Sequence, residues 1–186
     1  MERLRFKFDE EKSAQAVAFL IRRAAPRPLT KGYLVKMLYV ADCRQVSRVG
    51  SPITGDQPTA MENGPVLSHI LNLFNGKVKS VFWSQCFSNA DSQHVIRPLR
   101  TIESDLLSDA EKKSLSLAVD HLKGFSWSAL VNHLHQRDEW KKHNKGKSSA
   151  VIPFESILEA EGRNAIYLEQ LKNDQAEQAL FSQLLA

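Results

Sequence analysis

With 186 residues, 42% of them apolar and 25% charged, the chain has the composition of an ordinary soluble globular protein and enough length to bury one substantial core. Two cysteines, Cys43 and Cys86, are too few for a disulfide scaffold; no run approaches a membrane span and no signal-peptide pattern opens the chain, so a cytoplasmic, non-membrane protein is the default expectation. The net charge of +4 permits attraction to nucleic acid or to an acidic partner, but no arginine-rich arm concentrates it.

Arg3 to Phe8 alternates basic and apolar side chains, the pattern of an edge strand or a loose arm, either solvated or serving as a basic contact strip. From Asp9 to Ala25 the apolar positions Ala14, Val17, Ile21 and Ala24 follow acidic residues and end near Arg22 and Arg23, which predicts a helix with its dipole complemented at both ends. Pro26 and Pro28 stop it. Thr30 is placed to cap a second helix, in which Leu34, Met37, Leu38 and Ala41 recur at i, i+3, i+4 and i+7, and Gly50 and Pro52 end that one.

Gly55-Asp56 and Asn63-Gly64 mark two changes of direction around a strand-like piece, Gln57 to Met61. Pro65 suits the first turn of a helix carrying Val66, Leu67, Ile70, Leu71 and Phe74. Asp42, Asp56 and Arg44 can be read as an acid pair with an arginine clamp. The competing reading is that Asp42 pins the connection, either by accepting backbone hydrogens or by pairing with Arg44 or Arg48. Gly55 belongs to no phosphate loop, because the Gly-x-x-x-x-Gly-Lys-Ser/Thr arrangement is absent.

After a turn at Asn75-Gly76, Val78, Val81, Phe82, Trp83 and Phe87, then Val95 and Ile96 beyond Asn89-Ala90-Asp91, suggest two short extended pieces. Trp83 and Phe87 fit either core or an aromatic anchor for a partner. Ser108 and Glu111 form a capping box for a helix through Leu115, Ala118, Val119 and Leu122, closed by Gly124. Ser126 opens the next, along Leu130, Val131, Leu134 and His135. His133 and His135 lie two apart and share no helix face, so no metal site is expected from them. His135, one turn from Glu139, is expected to orient a packed helix end, and Trp140 to close the core beside it.

Lys141 to Lys147 reads as a basic joint, a solvated linker in preference to a contact with nucleic acid or an acidic protein. Beyond Pro153 and Phe154, the apolar pattern predicts two short helical segments interrupted near Gly162. This acidic tail would pack on the main body or offer a surface for self-association or a partner. The sequence shows no nucleotide-binding loop or nucleophile elbow, so no catalytic residue and no cofactor is expected.

The string YVADCRQVSRVGSPITGDQPTAMENGPV resembles the core of the Panacea domain, a prokaryotic, phage-associated domain formerly of unknown function that includes the SocA-like antitoxins. The matching positions are Leu38, Tyr39, Ala41, Asp42 and Arg44, then Gly50, Pro52, Ile53, Thr54, Gly55, Asp56, Ala60, Gly64, Pro65 and Val66. A second family mark, a leucine, a Thr-His pair and a tryptophan, meets Leu130, His135 and Trp140 here, with Leu134 in place of the threonine and Pro58 near a usual aromatic position. The resemblance spans about residues 10 to 145.

Pattern and resemblance together imply an α+β fold, a mainly helical single domain with short antiparallel β-hairpin elements over residues 9–145, followed by a C-terminal helical extension at 146–186. The resemblance further implies an antitoxin of a toxin–antitoxin system that neutralises a cognate toxin by direct protein–protein binding, or delivers it to an ATP-dependent protease. A DNA-associated regulator is the alternative from another class, and a small metal-independent hydrolase using the aspartates and His135 a distant third. Tyr39, Asp42, Arg44, Thr54, Asp56 and Met61 are the side chains expected to bind the partner or to support the motif that does. Trp83, His135 and Trp140 join them.

Overall fold

The computed structural model describes residues 3–88 and 93–184. The expected turn at Asn89-Ala90-Asp91 and the tail residue Leu185 lie outside the described residues. Helix α1, Glu10–Ala24, starts at Asp9, whose carboxylate accepts from the Lys12 amide. Helix α2, Lys31–Val49, is capped by Thr30 and ends at Gly50, where a φ of 82° lets the chain leave in the left-handed region.

Strands β1, Pro58–Met61, and β2, Gly64–Leu67, form a tight antiparallel hairpin with Met61 opposite Gly64. Helix α3, Ser68–Phe74, follows at once, then α4, Val81–Cys86. The longer α5, Asp109–Leu122, opens with the expected capping box between Ser108 and Glu111. Helices α6, Trp127–His135, and α7, Asp138–His143, lead to β3, Ala150–Val151, and to α8, Phe154–Ala160, and α9, Ala165–Leu184. The sheet order is β2-β1-β3, all antiparallel.

Helix α2 is the axis of this mainly helical α+β fold. Nearly every side chain from Tyr33 to Ser47 is buried, because α5, α1, β2, α3 and α8 enclose the helix on all sides. Its apolar face packs as expected, and its few polar residues are thereby committed to internal partners: Gln45, for example, accepts from the Ser114 hydroxyl at 2.8 Å. Such burial demands that each polar atom find a bond.

Three local expectations are corrected. Pro65 lies inside β2 opposite Ala60, and the helix that follows starts only at Ser68. The reason is that the start of α3 is capped from a distance: Asp56 accepts from the amides of His69 and Ile70 at 2.9 and 2.8 Å. The stretch around Trp83 is helical, not extended. Ser80 caps α4 by accepting from the Trp83 amide, its hydroxyl in turn reaches Glu10, and burial of Trp83 and Cys86 one turn apart fixes the face. In the tail, α8 is short and stops before Gly162, but α9 runs for 20 residues.

Residues 3–8 form a strap that, among the described residues, has no ladder pairing. Leu4 is buried, Phe6 packs edge-on against Phe154, and the Asp9 amide donates to the Thr54 carbonyl at 3.0 Å. Beyond the lysine-rich stretch, Thr59 pairs with Val151 and Ala60 with Ala150, while Phe154, Ile157 and Leu158 join the common core. Helix α9 rests on that core through Tyr167, Leu168 and Leu171 and holds the strap by Gln175, which both donates to and accepts from the Arg5 backbone. Both cysteines are free and buried, and burial pushes the Cys43 thiol up to about 12.

Candidate partner-binding groove

The base of the hairpin is held by two buried carboxylates. Asp42 accepts from the amides of Ile53 and Thr54 at 2.9 and 3.2 Å and from the Thr54 hydroxyl at 2.5 Å. The same hydroxyl oxygen accepts from the Asp56 amide at 3.1 Å, so Thr54 links the two aspartates. Burial pushes Asp42 up to about 7 against the pull of these hydrogen bonds, and raises Asp56 as well. Arg44 is half-buried and forms no ion pair among the described residues, so the arginine clamp is absent and Asp42 works through backbone hydrogens.

The hairpin tip is held by side chains from three helices. The Trp140 indole donates to the Met61 carbonyl at 3.0 Å, and His135 Nε2 lies 3.1 Å from the Glu62 carbonyl. The two rings stack with centroids 3.9 Å apart and planes 7° from parallel. From α2, the Lys36 ammonium donates to the carbonyls of Asn63 and Pro65. Every one of these bonds goes to backbone oxygen, which fixes the turn whatever its side chains do.

His135, expected to orient a packed helix end, faces the hairpin, and Glu139 one turn away is not its partner among the described residues. Glu139 instead faces inward, accepting from the Tyr39 hydroxyl at 2.7 Å and from Arg137, which also reaches Glu161 at 2.7 Å. Burial raises Tyr39 well above the usual phenol range. Tyr39, Met61, His135 and Trp140 are therefore brought to one flank of the hairpin, with Asp42, Thr54 and Asp56 at its base. Trp83 is elsewhere, in an aromatic cluster with Phe74 and Phe87. Tyr39, Asp42, Thr54, Asp56, Trp83 and Trp140 are all buried, and their polar atoms that have named partners bond within the protein.

The accessible feature beside this latch is a groove of about 690 Å³ between the start of α2, the hairpin tip and the start of α6. Tyr33, Val66, Leu71 and Met61 give it apolar walls, and Trp127 stands at its side with 42% of its surface exposed. The Trp127 and Tyr33 rings lie 5.8 Å apart, and Lys36 Nζ sits 5.6 Å from the Trp127 ring centre. Lysines 31, 36 and 147 line the groove against one acid, Glu62.

Lys36 and Trp127 were not among the side chains singled out from sequence. Lys36 carried a signal: a lysine in the otherwise apolar run Tyr33 to Tyr39 of a helix that is buried all round must lie inside. Trp127 carried none, because it sits in register with Leu130 and Leu134 and reads as core. Among the described residues no group of three or more His, Cys, Asp or Glu is placed to hold a metal ion, and no helix is long and apolar enough to cross a membrane.

Comparison with known families places the antitoxin SocA-like, Panacea domain model on residues 34–141, more than half of the chain. The match runs from within α2 into α7 and so contains the hairpin together with Lys36, Val66, Leu71 and Trp127 of the groove, while Lys31, Tyr33 and Lys147 lie outside it. No curated protein and no solved structure matches the chain.

Proposed function

The chain belongs to the SocA-like antitoxin family with a Panacea domain, and on that premise we propose that it neutralises a cognate toxin by direct binding, with the groove beside the hairpin as the contact face. The observation that carries this reading is the exposed Trp127 set in a groove whose floor is held by hydrogen bonds from Lys36 and Trp140 to the hairpin backbone. A pre-shaped floor lowers the ordering cost of association, and an exposed tryptophan in a groove wall is the kind of side chain that contributes disproportionately to binding energy.

The test uses the toxin encoded beside this protein. The toxin is expressed alone and with the antitoxin, growth is followed, and the affinity of the purified pair is measured for the unaltered protein and for Trp127→Ala. Truncating this tryptophan should weaken binding by about 30-fold or more and abolish rescue while the fold persists, since Trp127 is half in solvent. Unchanged affinity and rescue in the folded variant would remove the groove from recognition. Tight binding with rescue lost only in cells lacking an ATP-dependent protease would assign the protein to delivery for degradation.

A further inference from the structure

Lys36 is 1% exposed, yet among the described residues it makes no ion pair. Two of its three ammonium protons are placed on the carbonyls of Asn63 and Pro65, and no acceptor among the described residues takes the third. Burial pulls its pKa down to about 8, as expected for an ammonium that has lost water without gaining an acid. A buried cation of this kind is usually neutralised by a carboxylate.

The surroundings favour the same sign. Lys31 and Lys147 also line the groove, Glu62 is its one acidic member, and the N-terminal turn of α2 presents the positive end of a 19-residue helix dipole. The walls beside the ammonium are apolar and aromatic, Tyr33, Val66, Leu71 and Trp127. Chemical complementarity therefore asks for a carboxylate joined by a short stem to an apolar or aromatic body.

Resting on the reading of the groove as the toxin-contact face, we propose that its occupant is an acidic and apolar segment of the toxin, whose carboxylate takes the free proton of Lys36 while a neighbouring apolar side chain packs against Trp127. Lys36 is then the specificity-determining residue of the groove. The hairpin carbonyls hold its ammonium in place, so a carboxylate meets a donor that is already dehydrated and oriented.

The first arm of the test uses three probes of one shape and different charge, 3-phenylpropionate, 3-phenylpropanamide and 3-phenylpropylamine, titrated into the full chain labelled with ¹⁵N. The carboxylate should shift the amides of Gly32 and Gly64 and the Trp127 indole, and bind about tenfold tighter than the amide, the factor expected for one charge-assisted hydrogen bond. In the second arm, toxin affinity is measured for Lys36→Met, with Lys141→Met, outside the groove, as control. Lys36→Met should weaken the complex by about tenfold or more, and the control should leave it unchanged.

Equal binding of the three probes, or shifts mapping away from the groove, overturns the proposal even if Lys36→Met fails to fold. Unchanged toxin affinity in a folded Lys36→Met variant also overturns it, while leaving neutralisation by direct binding intact. Carboxylate selectivity without any toxin binding removes the toxin as occupant and the neutralisation reading with it.

Discussion

Replacing Asp42 by alanine leaves three buried donors without their acceptor, the amides of Ile53 and Thr54 and the Thr54 hydroxyl. At about 2 kcal/mol for each orphaned group, the gross loss is about 6 kcal/mol. Removing the carboxyl also relieves a penalty, and that part depends on pH. The folded state holds the Asp42 proton up to about 7, whereas the unfolded chain releases it near 3.8. Between these values the folded state binds the extra proton, so stability from this group is greatest below 3.8 and is lost as pH rises through about 7. The penalty is about 2 kcal/mol at pH 5 and about 4 kcal/mol at pH 8. Asp42→Ala should therefore cost about 4 kcal/mol at pH 5 and about 2 kcal/mol at pH 8. Urea unfolding followed by circular dichroism reads this directly: with a slope of about 2 kcal/mol per molar, the midpoint falls by about 2 M at pH 5 and about 1 M at pH 8. Contributions from groups remote from Asp42 cancel in the difference between the two proteins, whereas Asp56, whose charge also raises Asp42, is held more easily as the carboxylate once Asp42 is gone. Asp42→Asn keeps an oxygen for the two amides and should unfold with less dependence on pH than the unaltered chain. A loss below about 0.5 kcal/mol at both pH values, or a larger loss at pH 8 than at pH 5, would refute the assignment of Asp42 as a neutralised backbone acceptor.

Gly55 has a φ of 67°, and a methyl group there would sit 2.1 Å from the Lys7 carbonyl oxygen, so Gly55→Ala should cost more than about 2 kcal/mol and speed hydrogen exchange at the Asp9 amide; wild-type protection there would contradict the role given to the strap. Glu139→Gln should destabilise by about 3 kcal/mol or more because Arg137 loses a buried counter-charge, and a thermal-melt cycle with Tyr39→Phe should reveal coupling between the two. Additive losses would separate Tyr39 from that network. Trp140→Phe removes the donor to the Met61 carbonyl and should cost about 1 to 2 kcal/mol in urea unfolding, with the hairpin-tip amides exchanging faster; an unchanged midpoint would place the hold on the tip elsewhere.

Much of the fold was legible because its long helices announce themselves locally. Asp9, Thr30, Ser108 and Ser126 are side-chain caps within three residues of the amides they serve, and each helix start follows from sequence alone. Where the governing partner is remote, local reading failed. The cap of α3 comes from Asp56, 13 and 14 residues before the amides it holds, so Pro65 looked like a helix start. Around Trp83, aromatic and β-branched residues argued for strands, and burial of Trp83 with Cys86 decided for a helix. The hairpin string marked where the candidate site would be, but most of its named side chains are buried. The groove itself joins Lys36 to Trp127, 91 positions later in the chain. No periodicity reports such a meeting.

The two hidden thiols make the molecule its own stopwatch. Cys43 lies at the middle of the axial helix and Cys86 at the end of α4, and neither offers its sulfur to solvent. A thiol reagent can modify them only after the surrounding structure opens, so the rate at each site measures a different opening free energy. Cys43 times the loss of the whole core, whereas Cys86, on a six-residue helix, times a more local event. Because the folded chain is unreactive, a dye on a cysteine introduced at the rim of the groove would report from that one place.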